Sequence, residues 1–151
     1  MNKKAAIQLS FGLMITLVII IIIAFVGFKG ISLILSNFEK IKQQQLIDSL
    51  NDYYKQALLL PSNSELKVQV KTHYNKICFY DSSAPGTLNI LQPYVNVVNN
   101  EDKNVFVLKE SKLFPLTHFS LKLSQKEKCF NSSLGYFNFT MISKGDSIDI
   151  K

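Results

Sequence analysis

Arginine is missing from this chain: all 17 of its basic side chains are lysines. Arginine is the usual residue for bidentate grips on phosphate or guanine and for stacking on bases. Its absence, with no clustered basic stripe, argues against nucleic acid as a partner. A lysine-only composition rich in Asn and Ile looks more like the mark of an AT-rich genome than a selected binding chemistry. Cysteine is nearly as scarce, with only Cys78 and Cys129 and no CxxC pair. His73 lies five residues before Cys78, and His118 lies eleven before Cys129. Zinc sites use shorter, paired spacings, so no metal site is expected. The two cysteines have two readings. They form one disulfide if their domain faces an oxidising compartment, or they are separate buried thiols that act as small hydrophobes. Also missing are GxGxxG, a Walker loop, HExxH and GxSxG, so neither enzymatic activity nor a cofactor is expected.

The most telling absence is of charge. From Ala5 to Phe28 the chain runs 24 residues without an ionisable side chain, and Ile19 to Ile23 are five isoleucines in a row. At ~1.5 Å rise per residue such a helix reaches ~36 Å, enough to cross a ~30 Å hydrocarbon core. Gln8, Ser10 and Thr16 are too few to give it a wet face. The lipid bilayer is therefore the expected partner of this segment. Met-Asn-Lys-Lys before it is a short basic region that the positive-inside rule keeps in the cytoplasm. A cleavable secretory signal has a shorter core and a polar start after it. Here Ile31, Leu33, Ile34 and Leu35 continue the apolar run. The expectation is a retained single-pass anchor in the cell membrane, N terminus cytoplasmic and C-terminal domain outside. That soluble part, from residue 30 on, carries 14 Lys against 11 Asp and Glu, about +3, and is long enough for a single core.

Helical spacing continues past the anchor. Ile31, Ile34, Phe38 and Ile41 recur at three and four residues, and Leu46, Leu50, Tyr53, Ala57 and Leu58 form a second stripe. The second stripe is expected to pack on the domain's own sheet. For the first, the same reading and a seam for a partner helix stand level. Gly27 and Gly30 mark candidate bends. Beyond Pro61 the period becomes two. Leu66, Val68 and Val70 alternate with Lys67, Gln69 and Lys71, and Lys76 to Tyr80 reads as a second strand. Asp81 to Gly86 is a loop, and a short helical turn falls near Leu88 to Leu91. Further strands are expected at 105–108 and 119–123. At the end, 128–130 and 136–142 read as a hairpin-like pair, followed by 147–150. The fold class is thus α+β: a long N-terminal helix, transmembrane and then amphipathic, followed by a small antiparallel β-rich domain. The boundaries are 1–28 for tail and transmembrane helix, 29–60 for an amphipathic stalk and 61–151 for the β-rich domain.

Few side chains suggest chemistry. Asp48 and Asp52 share a helix face at i and i+4, which a solvated face explains best. Tyr53 and Tyr54 read as packing. Asn131-Ser132-Ser133 and Asn138-Phe139-Thr140 fit the N-glycosylation acceptor pattern, making Asn131 and Asn138 candidate sites.

The start, Lys3-Lys4-Ala5-Ala6-Ile7-Gln8-Leu9-Ser10-Phe11-Gly12, resembles archaeal proteins with type IV pilin-like (class III) signal segments. The resemblance implies cleavage of a short basic leader between Ala5 and Ala6, and the helix-plus-β-head plan is itself similar to a pilin's. It departs at Ser10, where pilins carry a Glu that offsets the free amine of a neighbouring subunit. With Ile-Cys-Phe-Tyr-Asp in the middle and Cys-Phe-Asn late, most of the chain also resembles an uncharacterised family of single-pass proteins from small-genome archaea. That likeness implies no activity. The expected function is a membrane-anchored protein displaying a binding or structural domain. The alternative is a pilin-like subunit or minor component of a type IV pilus-like filament, whose partners are copies of itself or other pilus-like components bound through the N-terminal helix.

Overall fold

Leu46, Leu50 and Ala57, spaced at four and seven residues, are all buried on one face of the helix α1 (Lys3–Leu59). In this computed structural model residues 3–151 are described, with α1 side chains from Leu13 onward except Leu33, Leu35 and Ser36. Two compact units divide the chain, Met1–Lys42 and Gln43–Lys151. The division cuts the expected 29–60 stalk in two. Residues from Gln43 belong to the β-rich unit because Leu46 begins the stripe that enters its core. The helix ends before Pro61, as the steric bias of a residue preceding proline requires. Ser143, fully buried, closes that end by donating its hydroxyl to the Leu60 carbonyl at 3.1 Å.

Seven strands follow: β1 (Glu65–Lys71), β2 (Lys76–Tyr80), β3 (Val105–Lys109), β4 (Lys112–Thr117), β5 (Glu127–Asn131), β6 (Tyr136–Ser143) and β7 (Ile148–Ile150). A 3-10 turn (Gln92–Tyr94) and the short helix α2 (Val95–Asn100) precede β3. The strands form two antiparallel sheets, ordered β1-β6-β7 and β4-β3-β2-β5. The α+β plan of a long helix followed by antiparallel sheets is therefore observed.

Alternation decides which residues go in. On β1, Val68 and Val70 are buried while Lys67, Gln69 and Lys71 face solvent. One core collects Leu46, Leu50 and Ala57 of α1 with Val68, Ile77, Phe79, Val105, Val107, Phe137 and Met141 from both sheets. Polar contacts fix the helix against each sheet. Tyr53 donates to the Gln69 carbonyl of β1 at 3.4 Å, and Gln43 Nε2 donates to the Pro115 carbonyl of β4 at 3.2 Å. The Tyr54 ring stacks on Phe119, centroids 4.3 Å apart, and its hydroxyl accepts the Ser120 amide.

Three expectations are corrected and one unexpected strand is added. Residues 119–123 make no strand; only a single parallel bridge joins Leu121 to Ile148, because Phe119 and Leu123 are drawn into the core. The helical turn lies after Leu91, at 92–100, since buried Leu91 and Val98 anchor it. β4 was not expected, and Pro115 within it is tolerated because β4 is an edge strand. Finally, 128–130 and 136–142 do not pair. β5 joins β2 and β6 joins β1, and the terminal hairpin is instead β6–β7, Ser143 opposite Ile148.

The fully buried Leu50 gives a direct test. Leu50→Ala should destabilise the β-rich unit by about 2–5 kcal/mol, from lost transfer energy and the cavity left behind. Ile34→Ala, in the other unit, should leave the same denaturant transition within about 0.5 kcal/mol.

Candidate functional site

β2 and β5 lie side by side with Cys78 directly opposite Cys129. Their sulfurs are bonded at 2.03 Å, across 51 positions of sequence. The two cysteines thus resolve to the disulfide reading. Cys78 is fully buried against Leu91, Val98 and Phe106, a second small core on the far side of the four-stranded sheet. The bond therefore fastens an edge strand to the sheet beneath the layer made by residues 88–98.

One buried carboxylate, Glu127, holds that layer down, and a second, Asp81, pins the loop after β2. Glu127, the first residue of β5, accepts the Asn89 and Ile90 amides on Oε1 at 2.8 and 2.7 Å and the Leu91 amide on Oε2 at 3.0 Å. Asp81, just after β2, accepts the Ser83 amide at 2.9 Å and its hydroxyl at 2.6 Å on Oδ1, and the Leu123 amide at 3.0 Å on Oδ2. Burial alone would raise the Asp81 pKa. The hydrogen bonds from the Ser83 hydroxyl and from the Leu123, Ser83 and Ala84 amides together outweigh it and hold the carboxyl below its ordinary value. Both acids are committed to backbone groups, so what they do is position loops.

Asp81 also lies on the wall of an open cleft of about 670 Å³ with His118, Glu101 and Asp102. His118 is exposed, while His73 sits on the other side of β2 in sequence, its ring 4.1 Å from that of Tyr74. Of the two histidines only His118 lines that cleft. Among the described residues no three His, Cys, Asp or Glu side chains converge as a metal ion would need. Asp48 and Asp52 are exposed on α1, and Gln44 donates to Asp48 at 2.9 Å. Asn131 and Asn138 are both exposed, on β5 and β6. Ala5 and Ala6 fall in α1 but outside the residues whose side chains are described.

The other feature that asks for a partner is α1 itself. The described stretch from Leu13 is long and apolar enough to cross a membrane. Between Leu13 and Phe28 its large hydrophobic side chains are 47–79 % exposed, Ile15 the least and Phe28 the most.

Glu127 was not legible in the sequence, since a Glu between two lysines reads as surface. Asp81 left a trace: Asp-Ser-Ser before Ala-Pro-Gly is a turn in which an Asp side chain bonds the backbone two residues on. Compared with protein-family models, with curated proteins and with solved structures, the chain matches none.

Two outcomes follow from this geometry. Reducing the Cys78–Cys129 bond should cost about 3–4 kcal/mol by the loop-entropy estimate, read as a lower denaturation midpoint in reductant. For Asp81 the sign is set by its lowered folded pKa. Its ionised form adds stability that is fully present above the unfolded value of about 3.9 and is lost as pH falls through the folded value. Asp81→Asn should therefore lower the midpoint at neutral pH, and the difference from wild type should shrink as the pH drops below about 4.

Proposed function

We propose that this chain is a single-pass membrane protein that displays its β-rich unit, a binding or structural module, outside the cytoplasm. The observation that carries the reading is the helix surface from Leu13 to Phe28: more than a dozen large apolar side chains, none buried. Leaving such a surface in water opposes the hydrophobic effect, and a bilayer removes the cost. Lys3 and Lys4 ahead of it support an inside N terminus. The disulfide supports an outside domain, since such bonds persist in oxidising compartments.

A second reading, the pilin-like subunit, has one observation in its favour. Ile31, Ile34, Phe38 and Ile41 fall on one helix face beyond the uncharged span and are 53–68 % exposed. In that reading the stripe is a seam for like helices, whose association rests on close shape fit.

Topology is tested with a single introduced thiol. Asn100 is exposed at the end of α2. In intact cells Asn100→Cys should react with a membrane-impermeant maleimide; labelling only after lysis would reverse the orientation.

A further inference from the structure

Both glycosylation-type triplets place their Asn side chain in solvent, so exposure does not separate them. Position in the sheet does. Asn138-Phe139-Thr140 lies within β6, the middle strand of its sheet. Asn138 stands opposite Gln69, Phe139 is buried, and Thr140 exchanges backbone hydrogen bonds with Lys151 at 2.9 and 2.8 Å. An enzyme taking that triplet into its own groove must strip the strand from the sheet. Asn131-Ser132-Ser133 is also bonded, Ser132 donating to the Asn75 carbonyl at 2.8 Å and Ser133 exchanging bonds with Tyr136 at 2.8 and 3.0 Å, but it lies at the margin of its sheet. Asn131 is the last residue of β5, an edge strand, and Ser133 leads into a two-residue turn. The turn residues Leu134 and Gly135 have φ of 52° and 78°. Its tip, Leu134, is 97 % exposed. Among the described residues neither the Asn131 amide nor the Ser133 hydroxyl is held by a side-chain hydrogen bond. The end of an edge strand opens at lower free energy than a ladder interior.

We infer that Asn131 is an N-glycosylation site of the displayed domain and that Asn138, in the folded domain, stays bare. The donor class is an oligosaccharide linked through its anomeric carbon to a lipid phosphate. Asn131 Nδ2 forms the new bond to that carbon, and the carbon–oxygen bond to phosphate breaks. The phosphate leaves with the electron pair, and the amide gives up one proton to a base of the transferase. No oxidation or reduction is involved. The inference rests on the outward topology proposed above.

The test is peptide mass spectrometry of the chain made in its own cells, combined with the Asn100→Cys labelling. After reduction and alkylation of the Cys78–Cys129 bond, trypsin releases residues 129–144, which hold both triplets, so variants assign the site. This peptide should carry a mass increment built of monosaccharide residues. Asn131→Gln and Ser133→Ala should lose the increment completely. Asn138→Gln and Ser133→Thr should keep it. A bare wild-type peptide in cells whose Asn100→Cys labels from outside overturns the inference and leaves the topology standing. A bare peptide with Asn100→Cys protected until lysis removes the topology, and the inference with it. An increment lost in Asn138→Gln and kept in Asn131→Gln overturns the choice of site.

Discussion

Two antiparallel sheets share a single apolar helix stripe, and the β-rich unit depends on that sharing. Leu46, Leu50 and Ala57 meet Val68 and Phe137 of the three-stranded sheet and Ile77, Phe79 and Val107 of the four-stranded one in the same core. Sheets bury one face against another layer or remain unstable. Here the layer is supplied by residues 43–59 of α1, held to β1 through Tyr53 and to β4 through Gln43. The chain passes between the sheets at Thr72–Asn75 and again at Ser132–Gly135, so neither sheet is contiguous in sequence. Losing the helix stripe would thus open both sheets together.

The outer face of the four-stranded sheet is closed by different physics. Residues 81–91 contain no regular element, and their backbone groups need partners once buried. Glu127 satisfies three consecutive amides from the adjacent edge strand. Asp81 satisfies Ser83 on its own side and Leu123 across the chain. The Glu127 bonds bring Leu91 down onto Phe106 and Cys78. The disulfide then ties the strand bearing Glu127 to the sheet centre. Charge-assisted hydrogen bonds, one covalent link and a small apolar cluster together do here what the helix does on the inner face.

What could be read from the sequence follows from the range of the forces involved. The helix stripe and the alternation of β1 are local periodicities, and both appear as expected. Strand pairing is not local. The triplet Cys-Phe-Asn in β5 lies five residues from β6 yet pairs with β2, because Cys78 and Phe79 offer it a buried place that β6 has given to β1. β4 was hidden by Pro115. The β3–β4 turn was hidden too, because Glu110 and Ser111 hold the positive φ values usually left to Asn and Gly. The two cysteines left a disulfide and separate buried thiols both open, and the register that sets Cys78 opposite Cys129 decides between them. Asp81 and Glu127 needed the fold, since a carboxylate's role is set by which amides come to face it.

The character of α1 changes along its length, and that change links construction to the proposed role. From Gln43 onward its apolar residues are spent on a core, and Asp48, Asp52 and Lys55 keep the opposite face wet. Between Leu13 and Phe28 there is no opposite face: Ile15, Val18, Ile19 and Ile22 are 47–56 % exposed, and none of the large apolar neighbours round the helix is buried. A helix apolar on every side belongs in a large core or a membrane. Between these lies the stretch with Ile31, Ile34, Phe38 and Ile41 on one side, where the Lys42 ammonium also sits over the Phe38 ring at 4.4 Å, and with Glu39 and Lys40 on others. Lipid covers a uniform apolar surface equally well at every rotation of the helix. A one-sided stripe is different, since it defines a direction and is satisfied only by a neighbour on that side. The uniform segment therefore speaks for anchoring, and the one-sided segment is where the two proposed readings part.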